Sequence, residues 1–101
     1  MPLRFGLPEA AIAGMQAVFA RHPEVERVVL YGSRAKGCQR PGSDIDLTLF
    51  GPTLQHQHLL TLIGELDDLL LPWMIDLSLY QQISDPAVRE HIARIGLPFY
   101  P

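Results

Sequence analysis

The apolar residues change period several times along the chain, and the changes fall at prolines or glycines. From Pro8 to Ala20, the residues Ala11, Ile12, Met15, Val18 and Phe19 follow the i, i+3, i+4, i+7 spacing of one helix face. Pro8 stands near the first turn, where its missing N–H costs nothing. Arg27 to Tyr31 is a short β-branched and aromatic run closed by Gly32, which predicts a strand covered on both faces. Residues 34–43 are rich in glycine, proline and cations and predict a short helical turn followed by a loop. From Asp44 to Phe50 the chain alternates, with Asp44, Asp46 and Thr48 on one side and Ile45, Leu47 and Leu49 on the other, as in a strand with one buried face.

A second long helix is predicted from Leu54 to Leu71, where Leu59, Leu62, Ile63, Leu66, Leu69 and Leu70 form a wide stripe opposite Glu65, Asp67 and Asp68. Pro72 ends it. Trp73 to Tyr80 alternates again, with Met74, Asp76 and Ser78 opposite Ile75, Leu77 and Leu79. Ser84 and Asp85 before Pro86 signal a last helix, carried by Val88, Ile92 and Ile95 to Gly96. The order is α-β-α-β-α-β-α. An α/β (α+β) fold with a small mixed sheet of three to four strands, flanked by helices, buries those apolar stripes.

Composition narrows the partners. The chain has 101 residues, 48% of them hydrophobic, which suits one domain over residues 1–101. Its 8 Lys+Arg against 11 Asp+Glu give a formal charge of -3, too acidic for a general electrostatic nucleic-acid binder, so no direct nucleic-acid partner is expected. The lone Cys38 excludes an intrachain disulfide or cysteine zinc site and makes a reducing cytoplasm the expected location. The start of the chain, Met-Pro-Leu-Arg-Phe-Gly, has no long apolar core. No apolar run reaches the roughly 18 residues of a membrane span, so no membrane partner is expected.

The chemistry concentrates in Val29-Leu30-Tyr31-Gly32-Ser33-Arg34-Ala35-Lys36-Gly37 and Ser43-Asp44-Ile45-Asp46-Leu47. A helical turn starting at Gly32 and Ser33 points free N–H groups and a hydroxyl outward, where an anion can bind. Gly32 lets a phosphate approach the backbone, and Arg34 and Lys36 add positive charge to the same turn. Asp44 and Asp46, two apart on a strand, share a face; their repulsion favours a cation between them, and hard carboxylate oxygens suit Mg²⁺. Asp76 lies mid-run in a similar strand and becomes a third carboxylate if the two strands are neighbours. A phosphate cradle beside such a cluster is the layout of metal-assisted phosphoryl or nucleotidyl transfer.

Gly32-Ser33, ten residues, then Asp44-Ile45-Asp46 resembles the Gly-Ser-x10-Asp-x-Asp signature of the DNA polymerase β-like nucleotidyltransferases. Tyr-Gly-Ser-Arg-Ala-x-Gly with Ser-Asp-Ile-Asp-Leu, in so short a chain, resembles the minimal nucleotidyltransferase (MNT) antitoxins, paired in prokaryotes with HEPN-domain toxins. The likeness also takes in the Asp76 strand and the closing Pro-x-x-Arg-x-x-Ile helix before Tyr100, whereas Ile95-Gly96-Leu97-Pro98 departs from the family's habit. The resemblance implies that Gly32 and Ser33 hold a triphosphate, with Arg34 and Lys36 as further nucleotide contacts. It implies that Asp44 and Asp46 coordinate two Mg²⁺ ions, and that Asp76 shares a metal and serves as general base. It also implies ATP as substrate and transfer of AMP to a tyrosine of the HEPN toxin, which loses its RNase activity. The alternatives are an antitoxin that occludes the toxin without catalysis, and a stand-alone transferase acting on a small molecule.

The remaining polar candidates have plainer readings. His56 and His58, two apart near a helix start, do not face each other and read as surface residues. His22, His91 and Cys38 read the same way, Arg40 as solvated, and Trp73 and Phe19 as core.

Overall fold

The computed structural model describes residues 3–101; Met1 and Pro2, where the segment read as lacking an apolar leader begins, lie outside the described residues. The chain runs α1 (Glu9–Ala20), β1 (Arg27–Tyr31), α2 (Ser33–Lys36), β2 (Ile45–Phe50), α3 (His56–Asp67), β3 (Ile75–Leu79), a 3-10 turn (Tyr80–Gln82), α4 (Pro86–Ile95) and β4 (Leu97–Tyr100). The four strands make one sheet in the order β3-β2-β1-β4. β1 is antiparallel to β2 and β4, while β2 and β3 are parallel, so the sheet is mixed, as expected for the fold class.

The register decides which side chains share a face. Val28 lies opposite Leu49 and Leu30 opposite Leu47; across the parallel pair, Leu47 meets Leu77 and Leu49 meets Leu79. These six are nearly inaccessible and pack with Ile12, Met15 and Phe19 of α1 and Leu62 and Leu66 of α3. Burying such side chains contributes roughly 1.5–3 kcal/mol each relative to exposure. The opposite face carries Tyr31, Asp46 and Asp76, then Thr48 and Ser78. It is only partly covered, by α4 along β1. Among the described residues no helix is long and apolar enough to cross a membrane.

Several boundaries differ from expectation for identifiable reasons. Pro8 is the N-cap of α1 rather than its first helical residue, and Asp44 precedes β2. The second long helix begins later and ends sooner than predicted: Gln55 caps it, with His58 Nδ1 accepting from the Gln55 backbone N–H at 2.9 Å. It stops at Asp67, before Leu70, which sits in the left-handed region at φ 54°. Leu70 therefore leaves the predicted apolar stripe and faces solvent, and Ile63, within the helix, is also exposed. Thr48, expected beside the carboxylates on an open face, is fully buried and accepts a hydrogen bond from the Ser78 hydroxyl at 3.1 Å.

No strand was expected after Gly96. β4 forms there because Phe99 inserts into the core, edge-to-face with Phe19 at 6.4 Å between centroids, and the Gln16 side-chain amide donates to the Phe99 carbonyl at 2.8 Å. Pro98 is tolerated because β4 is an edge strand, where one missing N–H need break no ladder.

Candidate active site

The site lies where β1 ends and β2 and β3 begin. β1 is drawn into the sheet by Val28 and Leu30 and breaks at Gly32, whose backbone (φ 78°, ψ -157°) is one that L side chains rarely adopt. A Cβ built on Gly32 would overlap the Asp46 Oδ2. The glycine is thus demanded twice, by conformation and by the carboxylate lying against it. α2 is a single turn opened by Ser33 and closed by Gly37 in the left-handed conformation.

Asp46 is central. It is paired in register with Tyr31 on one side and Asp76 on the other, so tyrosine, aspartate and aspartate form a row across three strands. Burial raises the Asp46 carboxyl above its ordinary pKa, and the charges of Asp76 and Asp44 add to the rise, while His91 and Arg34 oppose it. The Tyr31 hydroxyl is also raised, chiefly by burial, with the neighbouring Ser78 hydroxyl opposing and the Asp76 and Asp46 charges adding. A site that works against its own negative charge in this way favours a cation.

The structure brings Gly32, Asp46 and Asp76 together and leaves the other candidates at different stations. Asp44 is exposed at the lip, one residue ahead of β2, and Lys36 is exposed at the far end of α2. Arg34 is buried: its Nη1 donates to the Phe5 carbonyl at 2.9 Å, and Nη2 and Nε donate to the Ser43 carbonyl at 2.8 and 3.2 Å. The guanidinium therefore ties the loop ahead of Asp44 to the N-terminal segment, within electrostatic reach of Asp44 and Asp46.

His91, read from sequence as a surface residue, belongs to the site. Its Nε2 accepts from the Gly32 N–H at 3.3 Å, and its ring lies edge-to-face with Tyr31 at 6.2 Å. The available signal was spacing, since His91 falls between Val88 and Ile95 on the apolar face of α4, beside Ile92.

The donor set fits a hard divalent ion, being carboxylate oxygen throughout. Among the described residues no three His, Cys, Asp or Glu side chains already stand close enough to share one ion. The aspartates make an open row, which suits an ion that keeps water and takes phosphate oxygens as well.

The profile described as "Polymerase beta, Nucleotidyltransferase" matches residues 14–100, a span that takes in every element of the site. The chain belongs to that family. Solved structures agree on the fold. A toxin-antitoxin with AMP-PNP superposes with a TM-score of 0.69 at 22% identity, over 92% of this chain and 73% of that one. The toxin-antitoxin MntA-HepT gives 0.67 at 16% identity, over 91% and 71%. A complex of tri-AMPylated Shewanella oneidensis HEPN toxin with MNT antitoxin gives 0.65 at 16%, over 90% and 70%. No curated protein matches the chain at a comparable level of significance. This nucleotidyltransferase domain thus presents its carboxylate row on the sheet face that α4 leaves partly open.

Proposed function

We propose that the chain is a Mg²⁺-dependent nucleotidyltransferase antitoxin that moves AMP from ATP to a tyrosine hydroxyl of a HEPN-domain toxin. The observation that carries this reading is the registration of Asp46 with Asp76 beside a glycine whose missing Cβ makes room for the Asp46 carboxylate. The AMP-PNP and the AMPylated HEPN toxin in the structural relatives supply the nucleotide and the class of acceptor.

In this reading the backbone at Gly32 and Ser33 receives the triphosphate, and exposed Lys36 offers a cation to its distal phosphates. Asp46, with Asp44 and Asp76 drawn toward it, would hold the metal, which would supply Lewis-acid polarisation of the α-phosphate. Asp76, exposed on its edge strand, takes the proton of the acceptor hydroxyl. The hydroxyl oxygen forms the new bond to the α-phosphorus as the bond to the departing pyrophosphate breaks. His91 fixes the Gly32 peptide, so the turn that meets the phosphates is set before the nucleotide arrives.

The test is transfer of radiolabel from α-labelled ATP to purified HEPN-domain toxin. We expect Mg²⁺-dependent labelling by the wild-type chain, lost in Asp44→Ala/Asp46→Ala and in a toxin lacking the acceptor tyrosine. Equal labelling by the double variant would show that the carboxylate row is not the site. Neutralisation of the toxin by the double variant at equal expression would favour occlusion over catalysis.

A further inference from the structure

Resting on that reading, we infer that the acceptor protein is gripped by a cleft between α3 and the start of β3 and by the apolar side chains around it, and that its matching surface is basic and amphipathic. The cleft, about 380 Å³, is lined by Ile63, Leu66, Asp67, Trp73, Met74 and Ile75 among others. Four of the six large hydrophobic side chains exposed among the described residues belong to this region: Leu60 (56%), Ile63 (36%), Leu70 (88%) and Met74 (73%). Leu60, Ile63 and Asp67 follow one another at i+3 and i+4 along α3 and so share a stripe. Leu70 and Met74 continue the apolar surface across the connection to β3. A patch of this kind on an otherwise well-cored domain marks an interaction surface.

Charge identifies the occupant. From Pro41 to Val88 the chain carries seven carboxylates and not one lysine or arginine; all eight cations lie outside that stretch. The overall charge of -3 hides this division. β2, α3 and β3 all fall inside the acidic stretch; Asp67 lines the cleft, and the exposed Asp68 follows it in sequence with no cation beside them in the stretch. Arg34 and Arg40 line a separate cavity that shares only Trp73 with the cleft, and Arg21, which reaches α3, is already paired with Glu65 at 3.0 Å. A second copy of this chain, docked face to face, would set these carboxylates against their own kind. A partner with apolar anchors flanked by lysines or arginines meets both features, since complementary potentials select partner and register.

The position also serves the chemistry. Ile75 lines the cleft and Asp76 follows it, on a strand at the open edge of the sheet. A protein held in the cleft and wrapping that edge brings a hydroxyl to the proposed general base. The acceptor is thereby chosen by a surface separate from the residues that bind nucleotide.

The experiment measures the affinity of purified HEPN-domain toxin for the wild-type chain, for Leu70→Asp/Met74→Asp and for Asp67→Lys/Asp68→Lys, at low and high salt. ATP binding by each chain alone is the folding control. All four substituted residues are exposed, so ATP binding stays at the wild-type level. We expect the apolar pair to weaken toxin binding at least tenfold. The charge pair should weaken it about tenfold at low salt and flatten its salt dependence. Wild-type affinity in both variants would show that the toxin docks elsewhere, overturning this inference while leaving the antitoxin reading intact. No binding of toxin by the wild-type chain would overturn both. Sedimentation of the chain alone as a dimer that Leu70→Asp/Met74→Asp dissociates would assign the face to a second copy instead.

Discussion

Replacing Asp46 with asparagine should make the protein more stable at neutral pH while abolishing transfer. Asp46 and Asp76 are register partners on neighbouring parallel strands, which sets their carboxylates about 5–6 Å apart given the usual strand spacing. Coulomb's law then brackets their repulsion between about 0.7 kcal/mol in water and about 3 kcal/mol at an effective dielectric constant of 20. Asp76 is exposed, so solvent screens the pair and the lower end applies, about 1 kcal/mol. For a domain of this size that corresponds to a rise in Tm of about 4–8 °C. Asp76→Asn removes the same repulsion from the other side, so the double variant should gain about 1 kcal/mol rather than about 2.

The pH dependence carries the sign. A carboxyl held above its unfolded pKa, as Asp46 is by burial and by Asp76 and Asp44, keeps its proton in the native state after the unfolded chain has lost it. Stability therefore falls as pH rises from about 3.9, the unfolded value, through the higher folded value, and is flat beyond. The advantage of Asp46→Asn should be present at pH 7 and gone by about pH 3. Added Mg²⁺ should raise the Tm of the wild type and narrow the gap, because an ion between the carboxylates relieves the repulsion that asparagine removes. Thermal melts followed by circular dichroism at pH 7 and pH 3, with and without Mg²⁺, measure each quantity. A Tm at pH 7 equal to or below that of the wild type, or a gain that persists at pH 3, would refute the reasoning.

Two further substitutions test the frame around the row. Gly32→Ala forces a side chain into a glycine-only conformation and against the Asp46 carboxylate; we expect a loss of about 2–3 kcal/mol, read as a lower urea midpoint at an unchanged slope, together with loss of ATP binding. Arg34→Met leaves the Phe5 and Ser43 carbonyls without their buried donor and should cost about 2–4 kcal/mol. Arg34→Lys should recover less than half of that, because an ammonium lacks the planar fork that reaches both carbonyls; Tm values for the two variants decide.

Most of the fold was legible because most of it is written in local periodicity. The alternation of Ile45, Leu47 and Leu49, and of Leu77 and Leu79, placed β2 and β3 and put Asp46 and Asp76 on the opposite face. β4 was not legible. Leu97-Pro98-Phe99-Tyr100 has no alternation to speak of, and it becomes a strand only because α1 offers Phe19 to Phe99 and the Gln16 amide to its carbonyl. The end of α3 was misjudged for a related reason. Leucines continue past Asp67 at helical spacing, and nothing local says that Leu70 turns into the left-handed region and faces solvent.

The site divides along the same line. Asp46 and Asp76 could be named because each sits on a strand whose phase fixes where its side chain goes, and Gly32 because it closes the apolar run of β1. Arg34 and His91 could not be placed that way, because their positions depend on segments far off in sequence. Arg34 is drawn inward by the Phe5 carbonyl from before α1. His91 is presented by α4, whose apolar stripe fits the helix over β1 and carries the imidazole to Gly32. A cation in a phosphate-binding motif and a histidine in an amphipathic helix look alike in sequence, each a polar residue among neighbours that explain it locally. Only the packing separates them. Satisfied by two carbonyls, Arg34 holds the loop in shape, whereas His91 touches the Gly32 peptide at the start of α2. The useful rule for such small domains is that a polar residue on the buried face of the helix packed beside a motif deserves to be weighed with the motif, and His91 meets that condition from its spacing against Val88, Ile92 and Ile95 alone.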